Sequence, residues 1–325
     1  AALAIGVTPD TALAKDAGIQ LGLKGSIVVN DRMETSVPDI YAVGDAVQVK
    51  NFVTGEGDLI ALAGPANKQG RIVADNICGI DSRYGGSQGS SVLKIFDLTA
   101  ATTGVSEKKA RSLGYETDSV VLSPMSHASY YPGGMVMTMK VVFEKNSYKL
   151  LGAQIIGYDG VDKRIDVLAT AIRAGMRATE LKELDLAYAP PYSSAKDPVN
   201  MAGFMIDNIA RGVMKQWHIE DADKLPKDGS VTLLDTRTVG EYQRGHIEGF
   251  YNIPVDELRE RLDEVNPGKP VYVICQSGLR SYISCRILEG NGYTAYNFAG
   301  GFRFYQAVMN DRALIKRATA CGMDN

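Results

Sequence analysis

Cysteine is scarce in this sequence, with four in 325 residues: Cys78, Cys275, Cys285 and Cys321. That density excludes a disulfide scaffold. With only three histidines (His127, His218 and His246) and no metal-ligand spacing, no zinc site is expected either. Free thiols at this level fit a reducing cytoplasm. Long apolar runs are absent too: the longest, such as LLGAQIIG at 150–157, are too short to span a bilayer. No charged leader precedes an apolar signal segment. Nor is charge of one sign gathered anywhere. The 35 Lys and Arg are interleaved with 38 Asp and Glu for a net charge of −3, which argues against nucleic acid and anionic membrane as partners. No G-x-G-x-x-G follows any apolar strand. The opening AALAIGV has neither an initiator Met nor a polar lead-in, so the chain is expected to begin within a fold.

What is present is enough for two or three cores, given 45% hydrophobic residues over this length. Residues 1–90 read as α/β, with strands expected at 4–7, 26–29 and along TSVPDIYAVGDA (35–46), and a helix in PANKQGRIVADNIC from Pro65. The glycine- and serine-rich GGSQGSS (85–91) marks a boundary. Residues 91–211 read as α+β. VLKIFDLTAATTGV, DSVVLS, MVMTMKVVFE and KLLGAQIIG are antiparallel strands around the helix EKKARSLG, with a second helix over 161–175. The methionines of MVMTM read as strand packing, and VDKRIDV as a solvated helix start. A linker is expected over 212–222. Residues 223–325 then alternate the strands VTLLD, VYVIC and AYNFAG with the helical patterns DELRERLDEV and SYISCRILEG, which predicts a small parallel α/β sheet.

Cys275 ends one of those strands, in CQSGLR (275–280). Ligands bind at the carboxyl ends of strands in such sheets. Small loop residues let backbone N–H groups converge, and the following helix adds positive potential at its N-terminus. Arg280 supplies a further cation, and the thiolate is the reactive form of cysteine. Together with LLDTR, which carries Asp235 and Arg237, GHIEGFYNIP (245–254) and YNFAGGFRFY (296–305), this loop resembles a single-domain rhodanese, a sulfurtransferase, over 216–325. The resemblance implies that Cys275 is the nucleophile and carries sulfur as a persulfide, with Gln276, Ser277, Gly278 and Leu279 through Arg280 as its cradle. Related phosphatase-type loops have one more residue between Cys and Arg, so this length favours sulfur. Gln276 stands where many members carry Arg, which leaves the sulfur donor open. Cys285 is expected in packing, and Cys321 as a surface thiol.

In the first segment, Gly44 permits close backbone approach, and Asp45 can accept a hydrogen bond from a polyol hydroxyl. With AIGVTPDTALAKDAGIQL before and LAGPANKQGRIVADNI after, residues 1–90 resemble the FAD-binding second half of the pyridine-nucleotide:disulfide oxidoreductases. The resemblance makes Asp45 the ribityl-contacting acid and aims the helix opening at Ala63 and Pro65 toward the flavin's pyrimidine edge. It also implies an ADP-binding half, a nicotinamide nucleotide site and a redox cysteine that this chain lacks. SHASYYPGG (126–134) and DLAYAPPYSSAKDPVNMAG (185–203) are similar to the coenzyme A disulfide reductase branch, which presents tyrosines to the site of the other subunit. Tyr130 and Tyr188 are the candidates, Tyr131 and Tyr192 their competing neighbours, and His127 is expected to be structural. What the resemblance implies is the carboxy-terminal part of a homodimeric fusion using FAD, NADH or NADPH, and coenzyme A to reduce coenzyme A persulfide, coenzyme A disulfide or polysulfide. Two alternatives stay open: an NADH oxidase with an accessory rhodanese domain, and a rhodanese domain used only for docking.

Overall fold

The structure, a computed structural model, describes residues 6–320, with side chains through Ile315. The chain forms three units in sequence. The first contains α1 (Ala12–Asp16), β1 (Ile27–Val28), β2 (Val47–Lys50), β3 (Gly57–Asp58) and α2 (Ala63–Ile77). β1 pairs parallel with β2, and β3 antiparallel to it. α2 buries Gln69, Ile72 and Asn76 along one face. The expected strand at 4–7 falls partly outside the described residues, and Gly6 and Val7 belong to no regular element. TSVPDIYAVGDA is not a strand. Pro38 and Asp39, with φ 62°, turn the chain back so that Thr35 N–H donates to Ile40 O at 2.9 Å, and Glu34 pairs with Tyr41 alone. Ser36-Val37-Pro38-Asp39 is turn chemistry, and it outweighs the apolar run that follows.

The second unit is an antiparallel sheet covered by helices. It comprises β4 (Ser91–Ile95), β5 (Leu98–Gly104), α3 (Glu107–Ser112), β6 (Thr117–Leu122), β7 (Thr138–Glu144), β8 (Leu150–Gly157), α4 (Val161–Arg173) and α5 (Pro198–Ala210), with strand order β4-β5-β8-β7-β6. VLKIFDLTAATTGV is therefore a hairpin rather than one strand, turned at Phe96, whose φ is 53°. α4 lies across β5 and β8 and closes a core of Met139, Val141, Leu151, Ile155, Ile165 and Leu168. Met137 and Met139 pack inside as expected, while Met135 is exposed. The solvated start expected for VDKRIDV does not hold, because Val161, Arg164 and Ile165 are all buried. Ser106 caps α3 and Asp197 caps α5 through side-chain acceptors, which satisfies N–H groups that a helix leaves open at its start.

The third unit has β9 (Gln216–Trp217), β10 (Thr232–Asp235), α6 (Val239–Gln243), β11 (Tyr251–Asn252), β12 (Val271–Ile274), α7 (Leu279–Gly290), β13 (Ala295–Phe298) and α8 (Gly301–Ala320). Its five strands are all parallel, in the order β11-β10-β12-β13-β9. One face is covered by Leu258, Cys285 and Leu288, the other by Trp217, Phe250, Phe298 and Phe302. β9 lies within the expected linker and pairs with β13. DELRERLDEV is not an α-helix. Leu258 and Val265 are buried from a series of tight turns ending in a 3-10 turn at Leu262–Glu264, and Tyr293 Oη donates to the carbonyls of Leu262 and Val265. The second and third units are joined at Asp118 on β6, which accepts from Gln216 Nε2 at 2.9 Å and lies 3.0 Å from His218 Nε2.

Candidate functional site

Cys275 follows β12 directly and is fully buried. Its Sγ accepts from Gly278 N–H at 3.1 Å and from Ser281 Oγ at 3.2 Å. The loop is held from behind: Phe302 N–H donates to Cys275 O at 2.7 Å, and Arg303 N–H to Gln276 O at 3.1 Å. That approach requires a glycine at 301, where a Cβ would lie 2.6 Å from Ser277 N and 2.7 Å from Gln276 O. Asn297 Nδ2 donates to Gly278 O at 3.3 Å. On the neighbouring strand end, Asp235 and Arg237 form a buried pair at 2.7 Å, and the Arg237 guanidinium stacks 3.9 Å over Phe302. Leu279 is exposed at the loop tip, and Gln276 and Ser277 are half-buried. Ser281 had no role in the sequence reading. Its signal was its place in the first turn of the helix, where the hydroxyl can reach back toward the loop.

Arg280 makes a bidentate pair with Glu241, at 2.7 and 2.8 Å, and so ties the loop to α6, while its charge also interacts with Cys275. Fork-to-fork geometry of this kind is strong and directional. Arg280 holds the Glu241 carboxyl down at about 2, well below its ordinary 4.5, against the opposing effect of burial. The sign follows. A carboxyl depressed in the folded state adds stability above its unfolded value and loses it as pH falls through the folded one. Glu241→Gln is therefore expected to lower the melting temperature of this unit by a constant few degrees above about pH 4.5, with the deficit shrinking as pH falls toward 2. A deficit independent of pH in thermal melts would contradict the assignment.

The tyrosines sit in the second unit. Tyr130 Oη and Tyr188 Oη are 2.9 Å apart, and the bond from Tyr130 raises the Tyr188 phenol above its usual value. Tyr131 turns away, edge-on to His127 with ring centroids 5.8 Å apart. His127 is buried between Ser126 Oγ and Pro132 O, at 3.1 and 3.2 Å. Tyr192 and Tyr188 line a cleft of about 500 Å³ together with Asp159, Lys163, Ala187 and Pro191. The sequence reading missed Arg164, whose guanidinium lies behind this cleft.

In the first unit, Gly44 N–H donates to the buried Gln69 Oε1 at 2.7 Å and fixes the turn at Gly44–Ala46 against α2. Asp45 is exposed and makes no hydrogen bond or ion pair among the described residues. No side chain caps α2, whose first residues Ala63 and Gly64 are exposed, with Pro65 half-buried. A free carboxylate beside the open, small-residue start of a 15-residue helix fits a polyol and an electron-rich ring edge. These residues therefore fit FAD. Loss of one acceptor for a hydroxyl is expected to weaken FAD binding about tenfold in Asp45→Ala. Unchanged affinity in a flavin titration of the whole enzyme would rule the contact out.

Elsewhere Cys285 is buried, and that burial pushes its thiol up; Cys78 is exposed, and Cys321 lies outside the described residues. Among the described residues no cluster of His, Cys, Asp or Glu could hold a metal ion, and no helix is long and apolar enough to cross a membrane.

Comparison with known families finds three matches along the chain. Residues 1–70 match the pyridine nucleotide-disulphide oxidoreductase family, 90–198 its dimerisation domain, and 218–307 the rhodanese-like domain. The chain thus carries two matches to the pyridine nucleotide-disulphide oxidoreductases, one of them to their dimerisation domain, followed by a rhodanese-like domain. Among curated relatives, the coenzyme A disulfide reductase of Staphylococcus aureus (strain bovine RF122 / ET3-1) is 37% identical over 201 residues, 62% of this chain and 45% of the relative. Two solved structures resemble the chain through all three units. The reduced CoADR-RHD of Bacillus anthracis is 48% identical with a TM-score of 0.92, covering 95% of this chain and 56% of that one. The NAD-dependent persulfide reductase of A. fulgidus is 39% identical with a TM-score of 0.84, covering 92% and 54%. The chain thus spans about half the length of these relatives.

Proposed function

We propose that this chain works within a homodimeric, FAD-dependent, NAD(P)H-driven reductase of coenzyme A persulfide, coenzyme A disulfide or polysulfide, in which Cys275 carries sulfane sulfur. The observation that carries the reading is the pairing of two devices on one chain: a buried sulfur with two donors aimed at it, and a hydroxyl pair on the dimerisation unit. We take residues 1–90, 91–211 and 223–325 as the functional domains, with the 212–222 connection contributing a strand to the third.

At Cys275 the thiolate attacks the outer sulfur of a donor, forming an S–S bond as the donor leaves as a thiolate or, from thiosulfate, as sulfite. The terminal sulfur so gained is anionic, and the convergent N–H groups of the loop, with Ser281, stabilise it there. A coenzyme A thiolate then attacks that terminal sulfur, leaving with it as a persulfide and restoring Cys275. Asp235, Arg237 and the Arg280–Glu241 pair hold the loop through this exchange. In the other half, Asp45 and the start of α2 bind and orient FAD, which when bound supplies hydride acceptance from the nicotinamide and electron delivery to sulfur. Tyr130 and Tyr188 hold a proton at the place where a thiolate departs from a disulfide or persulfide.

The deciding experiment is steady-state oxidation of NADH and of NADPH by the whole enzyme with each sulfur substrate and with oxygen alone. Turnover that requires a coenzyme A persulfide, coenzyme A disulfide or polysulfide is expected. Equal turnover on oxygen alone would replace this reading with an NADH oxidase, and failure of Cys275 to take up sulfur would reduce the third domain to docking.

A further inference from the structure

The two tyrosines stand on loops without regular structure, on segments 58 residues apart, and both are exposed, 74% at Tyr130 and 44% at Tyr188. One main-chain bond joins the two segments, from Ala128 N–H to Ser193 O at 3.1 Å. Behind them, Arg164 is 1% exposed, and every arm of its guanidinium is engaged. Nε donates to Asp197 Oδ2 at 3.2 Å, and Nη1 to Gly160 O at 3.1 Å. Nη2 faces three acceptors: Ser126 O at 2.9 Å, Ser193 Oγ at 3.0 Å and Tyr192 O at 3.3 Å. Ser126 begins the segment that carries Tyr130, while Tyr192 and Ser193 follow Tyr188. Asp197 accepts from Ser193 Oγ at 2.7 Å and from Val199 N–H at 2.9 Å, so the same carboxylate also starts α5.

We infer that Arg164, seated by Asp197, is the positioning residue that holds Tyr130 and Tyr188 in register as one hydroxyl pair. This rests on the reading of those tyrosines as part of the reducing site. A buried ion pair is seldom retained for stability alone, because desolvation offsets most of the attraction, whereas a planar fork with five donors can fix several carbonyls at once. Arg164 reaches both tyrosine segments and the start of α5 from α4 with a single side chain, and Ser193, which accepts from it, also takes Ala128 N–H on its carbonyl at 3.1 Å. The sequence makes room for it: at Gly160, with φ 68°, a Cβ would collide with Arg164 Nη1. Lys163, next in the chain, lies 4.0 Å from Asp197 and donates to Ala187 O at 3.4 Å, but it makes no bond to the Tyr130 segment.

Tyrosine labelled with ¹³C at Cζ reports on the pair directly. Tyr130 and Tyr188 resonances are assigned with Tyr130→Phe and Tyr188→Phe, and Tyr188 is titrated in each protein. Loss of the Tyr130 hydroxyl lowers the Tyr188 midpoint, since that hydroxyl raises it. Arg164→Lys keeps the charge but loses the fork, and is expected to move the Tyr188 midpoint to that of Tyr130→Phe and to lower kcat of the whole enzyme at least about tenfold, with KM little changed. Gly160→Ala, which displaces the guanidinium without removing it, and Ser193→Ala, which removes one acceptor, are expected to shift the midpoint partway. They decide the matter if Arg164→Lys does not fold, as judged by circular dichroism and the other tyrosine resonances. A wild-type Tyr188 midpoint in the folded variants overturns the inference. Full turnover in Tyr188→Phe would instead overturn the underlying reading of the tyrosines while leaving the midpoint result standing.

Discussion

Cys275→Ser is expected to abolish transfer of sulfane sulfur from thiosulfate or a persulfide to cyanide. Among the described residues, the geometry explains why no other thiol substitutes. Cys285 is buried on α7, its thiol pushed up by that burial, and Cys78 lies in another unit. A serine oxygen at 275 could accept from Gly278 and Ser281 as the sulfur does, so the loop should keep its shape while losing the sulfur it holds. Loss of transfer in a folded variant is therefore a loss of chemistry. Reduction of coenzyme A disulfide by the same enzyme should persist, because that reaction uses the flavin site alone, whereas turnover that depends on sulfur handed over from the third domain should fall with the transferase. The measurement is paired: thiocyanate formation and NAD(P)H oxidation on one preparation. Transferase activity at the wild-type level in the serine variant would remove Cys275 from the mechanism.

The parts of this site that were legible in the sequence are those whose chemistry is contiguous. CQSGLR presents its cysteine, its N–H groups and the start of its helix within six residues, so a short reading window suffices. The role of Arg280 was not legible, because its partner Glu241 lies 39 residues away, and a cation in a loop looks free until its carboxylate is placed. Arg164 was hidden for a related reason. Four of its five partners are main-chain carbonyls or a serine hydroxyl, groups that carry no pattern, and its charged neighbours made the helix start look solvated. The tyrosine segments, by contrast, were found through a resemblance rather than through periodicity. Among the elements, Leu258, Leu262 and Val265 have helical spacing, yet a series of tight turns buries Leu258 and Val265 and packs the half-buried Leu262 against the same core. Hydrophobic period identifies which residues go inward, and hydrogen bonding decides the backbone that takes them there.

Tyr130→Phe and Tyr188→Phe are each expected to lower kcat for sulfur-substrate reduction by at least about tenfold, the lower part of the range typical of general acid–base assistance. Each phenol is hydrogen-bonded to the other, so removing either oxygen leaves the second without its partner, and removing that of Tyr130 also takes away the rise in the Tyr188 phenol. The two single variants should therefore behave alike, and the double variant should be little worse than either, as groups acting as one unit are not additive. FAD binding should be unaffected, because Asp45 and α2 lie in a different unit from both tyrosines. A dimeric site gives a sharper test. If the hydroxyl pair of one subunit serves the thiol of the other, as the symmetry of an isologous dimer permits, then mixing a variant lacking the redox cysteine with the double Phe variant should return activity, since each heterodimer regains one complete site. Random exchange of subunits gives heterodimers as about half of the population, each with one site of two, so recovery should approach about a quarter of the wild-type rate. Absence of recovery in verified heterodimers would place the tyrosines with the thiol of their own subunit, and equal activity of wild type and double variant would leave them with a packing role only.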